Sequence, residues 1–165
     1  MIITAFDPGS TTFYATFDSR HPDRIDIGKV EMIGQGRLSR PCPMHITELI
    51  AATEVAVVEE VGPMPAEGVR SVFTFGLALG SLLGSLHANN VPVELVAPKE
   101  WKKVAKLNKL EKSAAKEAAR RFSIELWPHL RDQLRFKSSH GMAEAALMTR
   151  WYCEMGPGRD IPAAI

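Results

Sequence analysis

Val55-Ala56-Val57-Val58-Glu59-Glu60 sets four apolar residues in a row before two acids. A strand with one face in water alternates polar and apolar residues, whereas an unbroken apolar run of this length is what a strand covered on both faces looks like. Such strands belong to parallel sheets, and in open α/β sheets sites form beyond the carboxyl ends of the strands. The run therefore predicts an α/β fold and places candidate chemistry at Glu59 or Glu60. Adjacent strand residues face opposite ways, so only one of the two can point at a given neighbour.

Toward the N-terminus, residues 44–53 read as a short helix and 34–43 as a loop. Before them lie three strand-like runs, over residues 2–6, 11–17 and 25–33, with Asp7-Pro8-Gly9-Ser10 as the turn of a first hairpin. Toward the C-terminus, the glycine- and proline-rich stretch 62–68 reads as a loop, residues 69–89 as one long helix, and 91–96 as a second buried strand. A short helical piece follows at 99–105. Asn108 with Glu111 fits a capping box for a further helix, Trp127-Pro128 breaks the chain, and a last helix spans 141–154. Three strands, a helix, a strand, a helix, a strand and then helices is the order of the RNase H-like fold. The expectation is an α/β protein with a mixed five-stranded sheet, three antiparallel strands then two parallel ones, flanked by helices. Residues 1–155 make one domain, and 156–165 form a tail expected to fray.

The chain of 165 residues is 45% hydrophobic and 24% charged, an ordinary balance for a globular protein and too apolar for wholesale disorder. No unbroken apolar run reaches the ~18 residues of a membrane span, the N-terminus lacks the features of a signal peptide, and Cys42 and Cys153 are too few for a disulfide scaffold or a cysteine-based zinc site. These features predict an intracellular protein without a membrane partner. Net charge is +1, but residues 99–121 hold nine basic against three acidic side chains, hence +6, which leaves −5 for the rest. A basic block on a mildly acidic body suits a polyanion, although a solvated helix face has the same composition. Lys112, Lys116 and Arg120 recur every four residues as a stripe expected to lie along DNA, with Ala115, Ala119 and Phe122 packing inward.

Asp7 ends the first strand and Glu59-Glu60 end the fourth, and crossover connections make those strands parallel neighbours. Two like charges buried side by side call for a cation, and oxygen-only ligands suit Mg²⁺ or Mn²⁺ rather than zinc. His140 and Glu144, four residues apart, share a face of the last helix, whose small residues let it lie close to the sheet.

Phe6-Asp7-Pro8-Gly9-Ser10, Val58-Glu59-Glu60-Val61 and His140-Gly141-Met142-Ala143-Glu144-Ala145 resemble the three acidic motifs of RuvC-type Holliday-junction resolvases. The middle of the chain, from Phe73-Thr74-Phe75-Gly76 through Pro92-Val93-Glu94-Leu95-Val96 to Trp101-Lys102-Lys103, is similar to the phage-encoded branch of that family. The resemblance implies a Mg²⁺-dependent (or Mn²⁺-dependent) endonuclease that cuts four-way DNA junctions by two-metal hydrolysis, acting in the cytoplasm of a bacterial host if phage-encoded. It makes Asp7 the carboxylate shared by both ions, Glu59 and Glu144 further ligands, and His140 the occupant of a position that is often acidic. Lys102 and Lys112 resemble lysines that contact DNA near the scissile phosphate, with Lys103 beside them. An aromatic that wedges into the junction stands three residues after the second acid in better-known members. Here that residue is Gly62, so Phe73 or Phe75 takes the role or it is absent. A homodimer is implied too. Gly76, Gly80 and Gly84 line one ridge of the long helix and Leu77, Leu79, Leu82, Leu83 and Leu86 add apolar surface, so either the ridge packs on the sheet and the leucines meet a second copy, or the reverse, or the helix is buried wholly within its own chain. The competing readings are a phosphate-loop protein of the actin and sugar-kinase type, an RNA-directed nuclease of the same fold, and a nucleic-acid-binding protein that has lost catalysis.

Overall fold

The valine run forms strand β6 (Val55–Glu59) of a five-stranded sheet in a computed structural model that describes residues 1–60, 62 and 68–157. Strands β1 (Ile2–Asp7), β2 (Phe13–Asp18) and β3 (Ile25–Lys29) make an antiparallel meander. β6 pairs in parallel with β1, and β7 (Val93–Val96) in parallel with β6, so the order across the sheet is β3-β2-β1-β6-β7. This is the mixed RNase H-like sheet that the element order predicts.

Both faces are covered, as the unbroken apolar run requires. Ile3, Ala5, Val55 and Val57 enter one core together with α5 (His140–Glu154), Trp101 of α3 (Pro98–Val104), and Ala115 and Ala119 of α4 (Lys112–Leu126). Phe6, Ala56 and Val58 enter the other with Ile46 of α1 (Pro43–Leu49) and Leu82 and Leu86 of α2 (Val69–Ala88). The register pairs Ile3 with Val55 and Phe6 with Val58. Since side chains alternate along a strand, Asp7 continues the set of Ile3 and Ala5, and Glu59 the set of Val55 and Val57. Both acids thus belong to the α5 face, and Glu60 to the opposite phase. The helix on that face is buried almost all round, from Gly141 to Cys153 with Glu144 and Arg150 as the half-buried exceptions, as befits a core helix.

Several local expectations need correction. The strand read over 25–33 stops at Lys29, after which Val30 turns in to bond Thr12, and β4 (Met32–Ile33) pairs with β5 (Arg40–Pro41) in a separate two-stranded sheet. Asn108 and Glu111 do not form a capping box. Lys106 adopts a left-handed conformation, φ 54°, and Leu107 anchors a short 3-10 turn over Leu107–Lys109, so Asn108 precedes the helix by too much and Glu111 itself is the N-cap. Helix α2 is also long and apolar enough to cross a membrane, with a hydropathy of 1.4, contrary to the expectation from unbroken runs. Glycine and serine interrupt the run without lowering its average much. Most of the loop read at 62–68, and the tail from 158 onward, lie outside the described residues.

The long helix resolves the choice left open by its two stripes. Leu82 and Leu86 are fully buried against the sheet, and Leu79 and Leu83 are packed against the same core. At Gly76, Gly80 and Gly84 a Cβ would meet nothing within 4 Å. Leu79, Leu82, Leu83 and Leu86 therefore pack inside the chain, Leu77 is half-buried, and the glycine ridge faces outward, with Phe73 exposed at its head.

Candidate active site

Asp7 and Glu59 sit side by side at the carboxyl ends of the central parallel pair, with their carboxyl groups within hydrogen-bond reach of each other. Helix α5 closes over them. At Gly141 a Cβ would stand 2.8 Å from Asp7 Oδ2 and would collide with the Phe13 ring. Only glycine lets the first turn of α5 come this close, and Glu144, three residues on, projects its charge into the same place. Burial pushes the Asp7 carboxyl well above the usual carboxylate range, and the charges of Glu59 and Glu144 push it further. Burial likewise raises Glu59 and Glu144, with Glu144 adding to the rise at Glu59. Three carboxyls that resist ionisation in one another's company form the donor set a divalent cation fits. Among the described residues, no three acid, histidine or cysteine side chains are gathered as tightly as a bound ion would hold them.

Glu59, not Glu60, turns to Asp7. Glu59 Oε1 accepts a hydrogen bond of 2.8 Å from Trp101 Nε1, while Glu60 is exposed and uses its backbone N–H on Val96. Trp101 is fully buried, so its indole is a fixed donor that orients Glu59. His140 opens α5, and its ring engages two other groups: Nε2 lies 2.8 Å from Lys116 Nζ and Nδ1 3.1 Å from the Lys137 carbonyl. It is the next residue, Gly141, that backs onto Asp7. Burial lowers the His140 pKa, despite the Lys137 carbonyl, with Lys116 and Arg120 adding to the drop.

The cations around the acids come from two helices. Lys102 of α3 lies 5.2 Å from the Trp101 ring centroid, and its charge favours ionisation of Asp7, Glu59 and Glu144. Lys112 of α4 acts on Glu144, and Lys116 on both Asp7 and Glu144. The site is thus a buried knot of acids ringed by lysines, opening at the sheet end.

No protein-family model matches the chain, and no curated protein matches its sequence. Among solved structures, that of T. thermophilus RuvC in complex with Holliday junction substrate is similar over 94% of this chain and 97% of its own, with a TM-score of 0.63 and 18% identity. A second Thermus thermophilus RuvC structure matches with the same coverage, a TM-score of 0.59 and 17% identity. The fold is that of RuvC.

On this RuvC fold the remaining expected DNA contacts are distributed unevenly. Lys103 pairs on the surface with Glu100 at 2.8 Å. Arg120 is not part of an exposed stripe: it is buried, its Nε donates to the Leu134 carbonyl and its Nη2 to that of Arg135, both at 2.8 Å, and Nη1 pairs with Glu117. A four-residue step overshoots the 3.6-residue turn by about 40°, so two steps from Lys112 rotate residue 120 about 80° off the stripe. It then meets carbonyls of a non-helical segment that need donors. Ala115 and Ala119 pack inward as expected, with Phe122 against the same core. Phe73 stands exposed beside Arg37, Leu38, Val69 and Arg70 around an open cleft, while Phe75 is half-buried. Trp101 is the residue that sequence reading overlooks. Its signal is position, a Trp-Lys pair just past the carboxyl end of the strand beside β6.

Proposed function

We propose that this chain is a divalent-metal-dependent endonuclease that cuts branched DNA, with four-way junctions as the substrate. The observation that carries the reading is the placement of Asp7 and Glu59 on one face of neighbouring parallel strand ends, under Glu144 and inside a ring of lysines. The RuvC fold supports it, since one of the similar structures holds a Holliday junction substrate. Asp7, Glu59 and Glu144 would hold two Mg²⁺ or Mn²⁺ ions, with His140 as the remaining donor. Bound ions would lower the pKa of the attacking water and stabilise the leaving 3′ oxygen. Trp101 holds Glu59 in register for that task, and Lys102 and Lys112 are placed to draw a phosphate toward the acids. Lys116, Phe73 and Phe75 extend the surface offered to DNA, and Arg120 is left out of it.

The outward glycine ridge of α2 supports a homodimer. Glycine inside a helix costs ~1 kcal/mol relative to alanine, and nothing among the described residues requires the small residues at 76, 80 and 84. A second copy seated there would meet the backbone closely. Two sites related by a two-fold axis match the two opposed nicks that resolving a junction needs.

A second reading, a protein of the same fold that binds DNA or RNA without cutting, is favoured by His140, which stands at a position often acidic in the family this chain resembles and whose ring is engaged by Lys116 and the Lys137 carbonyl. Incubating the protein with a labelled synthetic four-way junction and Mg²⁺ decides between them. Paired nicks by the wild type and none by Asp7→Asn, with junction binding retained, support the nuclease. Binding without nicks, in Mg²⁺ and in Mn²⁺, overturns it.

A further inference from the structure

We propose that Lys116 is a resident cation of the acid site, holding the place of one of the two ions until DNA draws its ammonium away. This rests on the nuclease reading above. Lys116 lies one turn into α4, half-buried, beside Ala115, which packs into the core that α4 shares with α5. Its side chain crosses to the first residue of α5, where Nζ stands 2.8 Å from His140 Nε2. An ammonium has only donors, and the Lys137 carbonyl on the other ring nitrogen has only acceptors. The tautomer follows: the proton is on Nδ1, and Nε2 presents a bare lone pair to Lys116. That lone pair is the form of histidine that ligates a cation, with the second nitrogen fixed by a carbonyl.

Lys116 reaches more than the histidine. Its charge favours the ionised forms of Asp7 and Glu144. The fixed hydrogen-bond partners of the acids and of the histidine divide the site into two unlike halves. One lies between Asp7 and Glu59, steadied by Trp101 and Lys102. The other lies among Asp7, Glu144 and His140, and a lysine already serves it. An ion entering the second half competes with the ammonium for the Nε2 lone pair of His140. The four-carbon stem of lysine lets the head group swing out, and a DNA phosphate offers it a partner of the right sign. Lys112, one turn earlier on the same helix, is exposed.

The test counts ions rather than cuts. Full-length protein stripped with chelator is titrated with Mn²⁺ and free ion is read by electron paramagnetic resonance. Without DNA, the wild type is expected to bind one ion well and a second at least about tenfold more weakly. Lys116→Met is expected to tighten the second ion about tenfold, Lys116→Gln to do so by less, and adding His140→Ala to Lys116→Met to cancel the gain. A cleavage-resistant junction is expected to tighten the second ion in the wild type and to add nothing in Lys116→Met. Circular dichroism on each variant shows that the fold is intact. If ions bind in a way that Asp7→Asn destroys but neither Lys116 variant changes, the role of Lys116 is overturned while the nuclease reading stands. If Mn²⁺ does not bind the wild type, or binds identically to Asp7→Asn, both are overturned.

Discussion

Trp101 offers a test of a single hydrogen bond to the acid site. Trp101→Phe keeps an aromatic ring in a fully buried position but removes the N–H whose bond Glu59 Oε1 accepts at 2.8 Å, along with part of the ring volume. The stability cost should be about 1–3 kcal/mol, part for the smaller ring and part for the lost donor. The loss of junction cleavage should be far larger than that of junction binding, because Glu59 would no longer be held toward Asp7. Thermal melts and single-turnover rates on the same preparation check this, and an unchanged rate would remove Trp101 from the site. The residue also shows what a sequence can and cannot display. Asp7 and Glu59 are readable because strand ends and alternation are local properties. The choice between Glu59 and Glu60 needed the register of β1 against β6, a contact between residues about fifty positions apart. Gly141 was visible as a small residue, but the reason for it, the Asp7 oxygen and the Phe13 ring behind it, exists only in the assembled fold.

Helices α2 and α4 each carry two stripes, and spacing alone left the orientation of α2 open and misassigned part of α4. Four-residue spacing makes a stripe over one turn and a spiral over two, which is how Arg120 leaves the line of Lys112 and Lys116. Arg120→Ala is expected to destabilise the fold by about 2–3 kcal/mol, since two buried carbonyls lose a charged donor, with no change in the salt dependence of DNA binding. Lys112→Ala should do the opposite, leaving stability within about 0.5 kcal/mol and flattening the salt slope by roughly 0.9. Urea denaturation and fluorescence anisotropy over a salt series separate the two, and matching salt slopes would return Arg120 to the DNA surface. For α2, the open space at Gly80 makes Gly80→Arg harmless to a lone chain. Light scattering should give about twice 18.2 kDa for the wild type and one copy for Gly80→Arg, with both cooperatively folded. A variant that stays dimeric would place the second copy elsewhere.

The three acids also set how the whole molecule responds to pH. Asp7, Glu59 and Glu144 all have folded pKa values raised above their ordinary ones, chiefly by burial. Their contribution to stability is fully present below the unfolded carboxylate range near 4 and is lost as pH rises through the raised folded values. Chelator-treated protein should therefore melt at a lower temperature at pH 8 than at pH 5, and Asp7→Asn should shrink that difference. Mn²⁺ at about a hundredfold over its dissociation constant adds ~2.7 kcal/mol, or roughly 5–10 °C for a chain of this size. Differential scanning calorimetry across pH, with and without the ion, would refute the site if Mn²⁺ left the pH 8 melt unmoved. The order of the elements along the chain has a further consequence. The β1–β2–β3 meander joins neighbours in sequence and can pair as soon as it is made, whereas the partner of Asp7 arrives with β6 and the helix bearing Glu144 follows every other described element. Long-range pairings are slow because a loop must close before its contacts reward it. If the nuclease proposal holds, a chain emerging from the ribosome keeps its first acid exposed and harmless, and a cutting centre would come into being only when α5 has docked on a sheet already there to restrain it.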